Sequence, residues 1–397
     1  MREGWRRRAL GEIADVYGGG TPSTKTPAFW GGDIPWITPT EVVSQDGKVI
    51  SRTERTITQL GLDRSGARLL PARTVLVTSR ATVGAVALTG VPIAINQGFA
   101  GLLCHDDVLP EWLMFWCQES RDEFRSRAGG STFPEVSRSS VRAIPILTPP
   151  LHEQRRMIDL ITSIDDSLSA LGALPRLADA ARLALMQEAT REPGRTIPMR
   201  ELVTTARAGG TPSRKRPDFF QGSIPWLKSG EVRSPAIRET EECISEEGLE
   251  TSAAWLIPAG AVVVAMYGAT AGAVGRVQAP MATNQAVLAL VADERLFDQS
   301  FLFHLLTMRE RSMKSRALGA AQPNLSKERV LQEEIPLPEL STQRRVARVC
   351  DALTELVQVA VQTMATAQHT RSSLLRALLA GVVELPDSYD RFLEAAS

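Results

Sequence analysis

The sequence predicts a mixed α/β protein made of two tandem copies of one domain, each copy followed by a long helix. The first observation is a repeated segment, GGTPSTKTPAFWGGDIPWITPTEV from Gly19 and GGTPSRKRPDFFQGSIPWLKSGEV from Gly209. The second is that the similarity continues in the same order at an offset of about 190 residues, far longer than the repeats of solenoids. The third is a helical spacing of apolar residues at the end of each copy.

Length and composition fit a soluble protein of more than one domain. The chain has 397 residues, of which 43% are hydrophobic and 23% charged, and one hydrophobic core seldom serves so long a chain. No apolar run reaches the ~18 residues of a membrane span, and no apolar segment follows the basic N-terminus as in a secretory signal. The scattered Cys104, Cys117, Cys243 and Cys350 fit a reducing compartment, so we expect a cytoplasmic location without membrane contact.

Each copy has the same internal order. A polar segment rich in glycine and proline comes first and carries GGTPS and IPW, the latter predicted to be core. Runs rich in β-branched residues predict strands, TVLVTSR and VGAVALTG in copy one and AVVVAMYG and AVGRVQ in copy two. An amphipathic helix is predicted next, PEWLMFWCQESRDEFRSRA from Pro110 and DQSFLFHLLTMRERSMKSRA in copy two. Each copy therefore begins with an α/β globule.

A long helix is predicted to close each copy, from Leu151 to about Thr190 and from Leu340 to about Gly381. Apolar residues recur there at spacings of three and four, as in helices that pack on one another. Pro175 should kink or break the first helix, and Gly381 should end the second. We expect an antiparallel coiled coil with pseudo-two-fold symmetry between the copies. The alternative is that each helix packs only on its own globule.

These patterns set the predicted domain boundaries. The two globular domains span 1–150 and 194–339, and the two spacer helices span 151–193 and 340–384. Residues 385–397 form a C-terminal tail without a counterpart in copy one, and no function is assigned to it.

The two copies share no recognisable catalytic constellation. The histidines are His105, His152, His304 and His369. None occupies a position equivalent to another, and the chain contains neither an HExxH motif nor a P-loop. Cys104, His105 and Cys117 lack the spacing of zinc ligands, so no metal site is predicted.

Two further features were weighed as chemical sites. The segment GATAGAVG from Gly268 is interpreted as strand, turn and strand rather than as a dinucleotide loop. Glu41 and Glu231 do match between the copies, but no second matched acid or base accompanies them. They are interpreted as loop-capping or surface carboxylates.

The shared residues suit recognition of nucleic acid. Hydroxyls, lysines and backbone N–H groups in a glycine-rich loop can bind phosphates, and asparagine and glutamine can pair with adenine edges. In copy one the candidate DNA-binding residues are Thr21, Ser23, Lys25, Ser79, Arg80, Asn96, Gln97, Arg125 and Arg127. In copy two they are Thr211, Ser213, Arg214, Lys215, Tyr267, Asn284, Gln285, Lys314 and Arg316.

Structural interpretations of these residues remain open. The asparagine–glutamine pairs could simply cap turns, and the basic residues at the helix ends could form a solvated face. Ser79 and Arg80 are aligned with Tyr267 and Gly268. Different residues on a shared frame are what two different half-sites would require.

With these motifs in duplicate, the chain resembles the specificity subunit of type I restriction-modification systems over nearly its whole length. The resemblance rests on GGTPS…IPW, on AINQ and ATNQ at a strand end, and on IPILTPPLHEQRR and IPLPELSTQRR leading into the long helices. It implies two target-recognition domains that each read one half of an asymmetric, bipartite double-stranded DNA target. It also implies that the helices set the spacing and dock two methyltransferase subunits, with motor-nuclease subunits in the full complex.

The resemblance implies no chemistry in this chain. S-adenosylmethionine, ATP and magnesium would be held by the partner subunits. The helix residues expected to bind partners are Ile161, Leu168, Leu353 and Leu356. The chain departs from the repeat at Pro175, where a kink would change the distance between the domains.

Three other functions stay open at this point. One is a specificity subunit of a related system whose partner chain combines methyltransferase and nuclease. Another is a tandem DNA-binding regulator, although a net charge of zero argues against tight binding by the chain alone. The third is an enzyme with two active sites, which would need matched catalytic groups.

Overall fold

The computed structural model confirms the mixed α/β class. It describes residues 2–80, 82–129, 134–191, 195–233, 236–316 and 325–390. The chain forms two compact units, Met1–Ala170 with Met364–Ser397 and Leu171–Thr363. No helix within the described residues is long and apolar enough to cross a bilayer. The domain boundaries drawn from the repeat stay a prediction.

The first copy combines small sheets with short helices. Its strands are β1 Arg6–Ala9, β2 Ala14–Tyr17, β3 Trp30–Ile37, β4 Val49–Ile50, β5 Arg55–Ile57, β6 Arg68–Leu70, β7 Val75–Thr78, β8 Val86–Thr89, β9 Ile93–Ile95, β10 Phe99–Cys104 and β11 Pro145–Thr148. Its helices are α1 Pro39–Ser44, α2 Gln59–Asp63, α3 Pro110–Glu119, α4 Arg121–Ser126, α5 Arg138–Arg142 and α6 Leu151–Ala189. The sheets have the orders β2-β10-β7-β8-β4 and β5-β3-β9-β6, and β1 pairs with β11.

The second copy repeats this topology. Its strands are β12 Thr196–Pro198, β13 Val203–Ala208, β14 Ile224–Leu227, β15 Cys243–Ile244, β16 Leu256–Ile257, β17 Val262–Ala265, β18 Val274–Arg276, β19 Met281–Thr283, β20 Val287–Ala292 and β21 Glu334–Pro336. Its helices are α7 Glu246–Glu250, α8 Gln299–Arg316, α9 Lys327–Leu331 and α10 Leu340–Leu379. The orders β13-β20-β17-β18 and β15-β14-β19-β16, with β12 on β21, match the first copy except for β4. The duplication seen in the sequence is therefore also a duplication of the fold.

The long helices are continuous. Of the two effects predicted for Pro175, a break does not occur, because α6 runs through the proline, and a kink stays a prediction. A proline removes one backbone hydrogen bond and crowds the preceding turn, at a cost of roughly 3 kcal/mol. Burial of Ile161 before it and Met186 after it stabilises the helix on both sides. The predicted stop of α10 is confirmed by Gly381, which has a φ of 69° and donates its N–H to the Leu378 carbonyl at 3.0 Å.

Each compact unit contains a segment of both long helices. In the first unit the start of α6 shares a core with Leu375 near the end of α10, and Arg371 donates to both carboxylate oxygens of Asp165 at 2.6 and 2.7 Å. In the second unit Arg182, near the end of α6, donates to Thr354 in the first half of α10 at 3.0 Å. The helices thus pair in an antiparallel sense, as predicted, and packing of each helix only on its own globule is excluded.

A buried glutamine joins the first globular domain to α6. Gln154 is fully buried. Its Oε1 accepts the backbone N–H of Leu109 at 2.8 Å, at the start of α3. Its Nε2 donates to the carbonyls of Asp107 at 3.0 Å and Pro149 at 2.9 Å. One side chain therefore connects the loop before α3 with the loop before α6.

The second copy repeats this arrangement, which we call the glutamine brace. Gln343 is also fully buried. Its Oε1 accepts the N–H of Asp298 at 2.9 Å, and its Nε2 donates to the carbonyls of Leu296 at 3.2 Å and Pro338 at 2.8 Å. The loop before α8 is held to the loop before α10 in the same way.

Replacing Gln343 by alanine should lower the free energy of unfolding of the second unit by about 2–4 kcal/mol, because a fully buried side chain is lost and three part-buried backbone groups lose their partner. Urea unfolding followed by far-UV circular dichroism measures the change. Gln358→Ala on the exposed surface of α10 is the matched control and should change it by less than about 0.5 kcal/mol. Equal effects of the two substitutions would contradict the brace.

Candidate functional site

The GGTPS loops are held by close contacts between backbones. A Cβ atom on Gly19 would lie 1.9 Å from the carbonyl oxygen of Ile95 at the end of β9. A Cβ atom on Gly209 would lie 1.9 Å from that of Thr283 at the end of β19. Real side chains do not fit at such distances, so both positions require glycine for close approach and not only for a turn.

The tryptophan of each IPW segment holds the GGTPS loop of its copy through a hydrogen bond. Trp36 and Trp226 are 3% and 2% exposed, which confirms them as core. The indole N–H of Trp36 donates to the carbonyl of Gly20 at 3.2 Å, and that of Trp226 donates to Gly210 at 3.0 Å. The loop is therefore a rigid platform in both copies.

The loop is also tied to the strand end that carries the asparagine–glutamine pair. The Thr21 hydroxyl donates to Oε1 of the exposed Gln97 at 2.6 Å, and Thr211 donates to Gln285 in the same way. The neighbouring asparagines use their Oδ1 atoms within their own turns. Asn96 accepts from the N–H of Gly98 at 2.8 Å, and Asn284 accepts from that of Ala286 at 3.1 Å. The turn-capping interpretation thus holds for the asparagines, and the glutamine amides are left at the surface.

The tips of the loops present hydroxyls and positive charge. Ser23, Lys25, Ser213 and Lys215 are all exposed, and neither lysine forms an ion pair with the residues that the structure describes. Arg214 differs, because Glu242 lies 2.7 Å from its guanidinium. That group also stacks 4.0 Å from the centre of the Phe220 ring. Of these candidate phosphate ligands, the lysines are therefore the ones without an ion-pair partner among the described residues.

A second loop adjoins the asparagine turn, and here the sequence alignment needs correction. The N–H of Ser79 donates to Gly98 and its carbonyl accepts from Val136. In copy two it is Met266 that makes the equivalent pair of bonds, to Ala286 and Leu325. Ser79 therefore corresponds to Met266, and both are buried.

The correct counterpart of Arg80 is Tyr267, not Gly268. Both are exposed, with 45% of the Arg80 side chain and 43% of Tyr267 accessible. Arg80 forms an ion pair with Glu135 at 2.8 Å. The copies differ here by one residue in the length of the loop between the paired strands, and the sequence alignment placed this difference before Ser79 instead of after Arg80. An arginine and a tyrosine thus occupy the same exposed place on the shared frame.

The helix ends lie beside this second loop. Arg125 donates to the carbonyl of Val83 at 3.3 Å, and Arg127 is paired with Glu123. In copy two, Lys314 lines a cavity of about 450 Å³ with Arg233 and the turn at Gly272.

Arg316 is the last residue of α8, and its side chain lies outside the described residues. In each copy the described candidates therefore fall on adjoining loops: the GGTPS loop, the asparagine turn, the second loop and the helix end.

The matched glutamates are structural. Glu41 accepts the backbone N–H groups of Thr38 and Glu54, each at 2.8 Å. Glu231 accepts those of Lys228 at 3.0 Å and of Glu241 at 2.8 Å. Both carboxylates cap a loop, as interpreted from the sequence, and are occupied by that role.

One buried cluster combines residues that often carry catalysis. Asp351 of α10 accepts from His304 at 3.0 Å and from Ser300 at 2.5 Å, and Arg276 lies 3.0 Å away. Burial raises the pKa of Asp351, but these donors outweigh it and hold the pKa at about 2. Serine and histidine both bond to the carboxylate rather than to each other, which is not a nucleophile–base arrangement. The cluster fixes α8 on α10.

No group of three or more histidine, cysteine or acidic side chains suited to a metal ion occurs among the described residues.

The predicted partner-binding residues differ in exposure. Ile161 is fully buried in the core of the first unit, whereas Leu356 is 48% exposed. Leu168 and Leu353 are half-buried. Burial removes Ile161 from the surface of the chain, and contact of the other three with a partner stays a prediction.

Comparison with protein-family models shows the family to which this chain belongs. The model of the type I restriction modification DNA specificity domain matches twice, over residues 2–174 and 196–363. The chain belongs to this family. The two matches end at equivalent points of the two copies, 189 residues apart, so each copy is one specificity domain.

Curated members of the specificity family match over part of their length. The MjaIX specificity subunit of Methanocaldococcus jannaschii is 38% identical over 164 residues, which are 41% of this chain and 38% of that protein. The EcoR124I/EcoR124II specificity subunit of Escherichia coli is 27% identical over 177 residues, 43% of each chain. The aligned regions thus span about two fifths of these relatives.

Solved structures share the fold of this specificity-family chain over nearly its whole length. The S subunit from M. genitalium has a TM-score of 0.60 at 14% identity and covers 96% of this chain and 97% of its own. The HsdS subunit from Thermoanaerobacter tengcongensis has a TM-score of 0.52 at 17% identity, covering 96% and 98%.

Substituting alanine for Gly19 should displace the first GGTPS loop and cost about 1–3 kcal/mol, because the new methyl group overlaps the Ile95 carbonyl. Urea unfolding and limited proteolysis of the loop measure the effect. Gly66→Ala is the control in the same neighbourhood, since its Cβ atom would lie 3.6 Å from Gly20. A Gly19→Ala protein as stable and as protease-resistant as the control would contradict the close-contact model.

Proposed function

We propose that this specificity-family chain is the DNA sequence-specificity subunit of a type I restriction-modification enzyme. Each copy reads one half of an asymmetric, bipartite double-stranded DNA target. The paired helices set the distance between the half-sites and dock two methyltransferase subunits. Motor-nuclease subunits join this core in the full complex.

One observation carries the proposal above all. The same hydrogen-bonded frame of glycines, tryptophan, threonine and glutamine is built twice, while the exposed residues on it differ. Arg80 and Tyr267 occupy one matched exposed position, and Thr24 and Arg214 occupy another. Phosphate contacts position a protein on DNA, whereas base contacts specify sequence. A constant frame with variable tips suits two readers of two different half-sites.

Two readers also give useful discrimination. Each mismatched base pair costs about 1–3 kcal/mol, so one short half-site separates targets poorly. Joining two readers through a pair of helices adds their discrimination and requires a defined spacing. The net charge of zero fits a chain that shares phosphate contacts with its partners.

Exposed apolar residues on the helices support docking of partners. Leu356 and Val359 of α10 are 48% and 62% exposed, and Leu177 of α6 is 63% exposed. Such positions are costly to leave in water and often mark contact surfaces. In this proposal S-adenosylmethionine, ATP and magnesium bind to the partner subunits, and this chain contributes no catalytic group.

Whole-genome mapping of methylated adenine in the native host, with and without this gene, tests the proposal directly. A bipartite motif should lose its methylation on deletion and regain it on complementation. Persistence of every methylated motif, in a host that expresses the system, would overturn the assignment.

Lys25→Ala and Lys215→Ala should each weaken DNA binding by the assembled complex about equally for all sequences. Each should lower the slope of log affinity against log salt by about 0.9, because one phosphate contact is lost. Lys48→Ala, an exposed lysine outside the GGTPS loops, should leave the slope unchanged. Fluorescence anisotropy over a salt series distinguishes the outcomes, and an unchanged slope in both variants would remove the loop lysines as phosphate ligands.

A further inference from the structure

The C-terminal tail covers the start of α6 in the first unit. Arg156 is 5% exposed, and its guanidinium donates to both carboxylate oxygens of Asp390 at 2.6 and 2.5 Å. Asp387 lies 2.9 Å from the same group. Arg156 also holds the pKa of the Asp390 carboxyl below its usual range. The tail thus neutralises a buried arginine with two acidic residues.

One apolar contact and two further hydrogen bonds also hold the tail on the first unit. Leu385 packs against the core of the first unit, and its carbonyl accepts from Arg156 at 3.2 Å. The Tyr389 hydroxyl donates to Asp159, one turn further along α6, at 2.6 Å. The docked segment therefore has a simple chemistry, an aliphatic residue followed by acidic ones.

No described residue of the second unit covers its equivalent surface in the way that the tail covers α6. Arg345 lies two residues after Gln343 of the brace, just as Arg156 lies two residues after Gln154. Arg345 of α10 is therefore the counterpart of Arg156. It lines a groove of about 1070 Å³ together with Leu185, Val346 and Val349. Arg345 is exposed and forms no ion pair with the described residues, and Val349 is 45% exposed. In the first unit the tail covers an arginine and the apolar surface beside it. In the second unit the equivalent arginine and the aliphatic residues beside it line an open groove.

The charge beside this groove favours an acidic occupant still more strongly. Arg348 stands at the position of Asp159, and Arg344 and Arg348 are both exposed. Glu188 and Glu339 line the other parts of the groove, and Arg191 lies within 3.5 Å of Glu188. The stretch of α10 from 344 to 348 therefore presents a positive edge next to an aliphatic floor.

We propose that this groove binds an acidic segment of the methyltransferase subunit, with an aliphatic residue on Val346 and Val349 and a carboxylate on Arg345. The segment would dock as the chain's own tail docks on Arg156. The identity of the partner rests on the proposed function, whereas the acidic chemistry of the segment rests on the groove itself.

A labelled peptide of residues 382–390 is the probe, since its sequence carries this chemistry. Fluorescence anisotropy with the full chain should show binding that weakens with salt. Arg345→Glu should weaken it by roughly tenfold or more. Arg155→Glu, an exposed arginine of α6 beside the occupied site, is the matched control and should leave it unchanged. A peptide with asparagine in place of Asp387 and Asp390 should bind as poorly as the wild-type peptide binds the Arg345→Glu chain.

Purified methyltransferase subunit should compete with the peptide, and Arg345→Glu should weaken its assembly with the chain. Peptide binding that ignores Arg345, or a methyltransferase that fails to compete, would overturn the inference. Arg345-dependent dimers in analytical ultracentrifugation would show that the occupant is the tail of a second copy instead. Failure of the proposed function would appear separately, as an unchanged methylation map with peptide binding intact.

Discussion

The glutamine brace is the contact on which the arrangement within each unit depends. A long helix can lie on a globular domain at many angles, and apolar packing alone discriminates weakly between them. Gln154 joins the loop before α3 to the loop before α6 with three hydrogen bonds, and Gln343 joins the loops before α8 and α10 in the same way. A tilt or a shift of the long helix would leave buried polar groups without partners, which costs more than a lost apolar contact. The hydrogen bonds of the brace therefore set the orientation of the long helix on the globular domain, and apolar packing stabilises the contact.

The candidate DNA-binding surface follows the same division between frame and variable parts. Glycines without room for a side chain, buried tryptophans and capping glutamates fix the backbone in both copies. The residues at the tips, among them Lys25, Arg80 and Tyr267, contribute little to that frame. They can differ between copies without altering the fold, because their side chains point into solvent. Such a surface can change its preferred ligand while the domain beneath it stays the same.

Much of the fold could be predicted from the sequence, because each sequence pattern occurs in both copies. The two copies, the long helices, the stop at Gly381 and the buried tryptophans follow from sequence periodicity and position. The glutamine brace does not, because Gln154 and Gln343 stand among charged residues on a helix and only tertiary contacts bury them. The pairing of Arg80 with Tyr267 needs the strand register, which an alignment across a one-residue difference cannot supply. The docking of the tail has no repeat to reveal it, and the continuity of α6 through Pro175 depends on packing on both sides.

The division of the chain between the units also has a consequence for synthesis on the ribosome. The second unit is one uninterrupted stretch, Leu171–Thr363, whereas the first also needs Met364–Ser397. Leu375 and Leu378 fill the core that Trp112 and Ile161 begin, so the early residues of the first unit cannot close their core until the end of α10 has been synthesised. The second unit can complete its own contacts earlier. The nascent first unit must meanwhile keep an apolar surface uncovered for the time needed to translate more than half of the chain, and such exposed surface favours aggregation during folding.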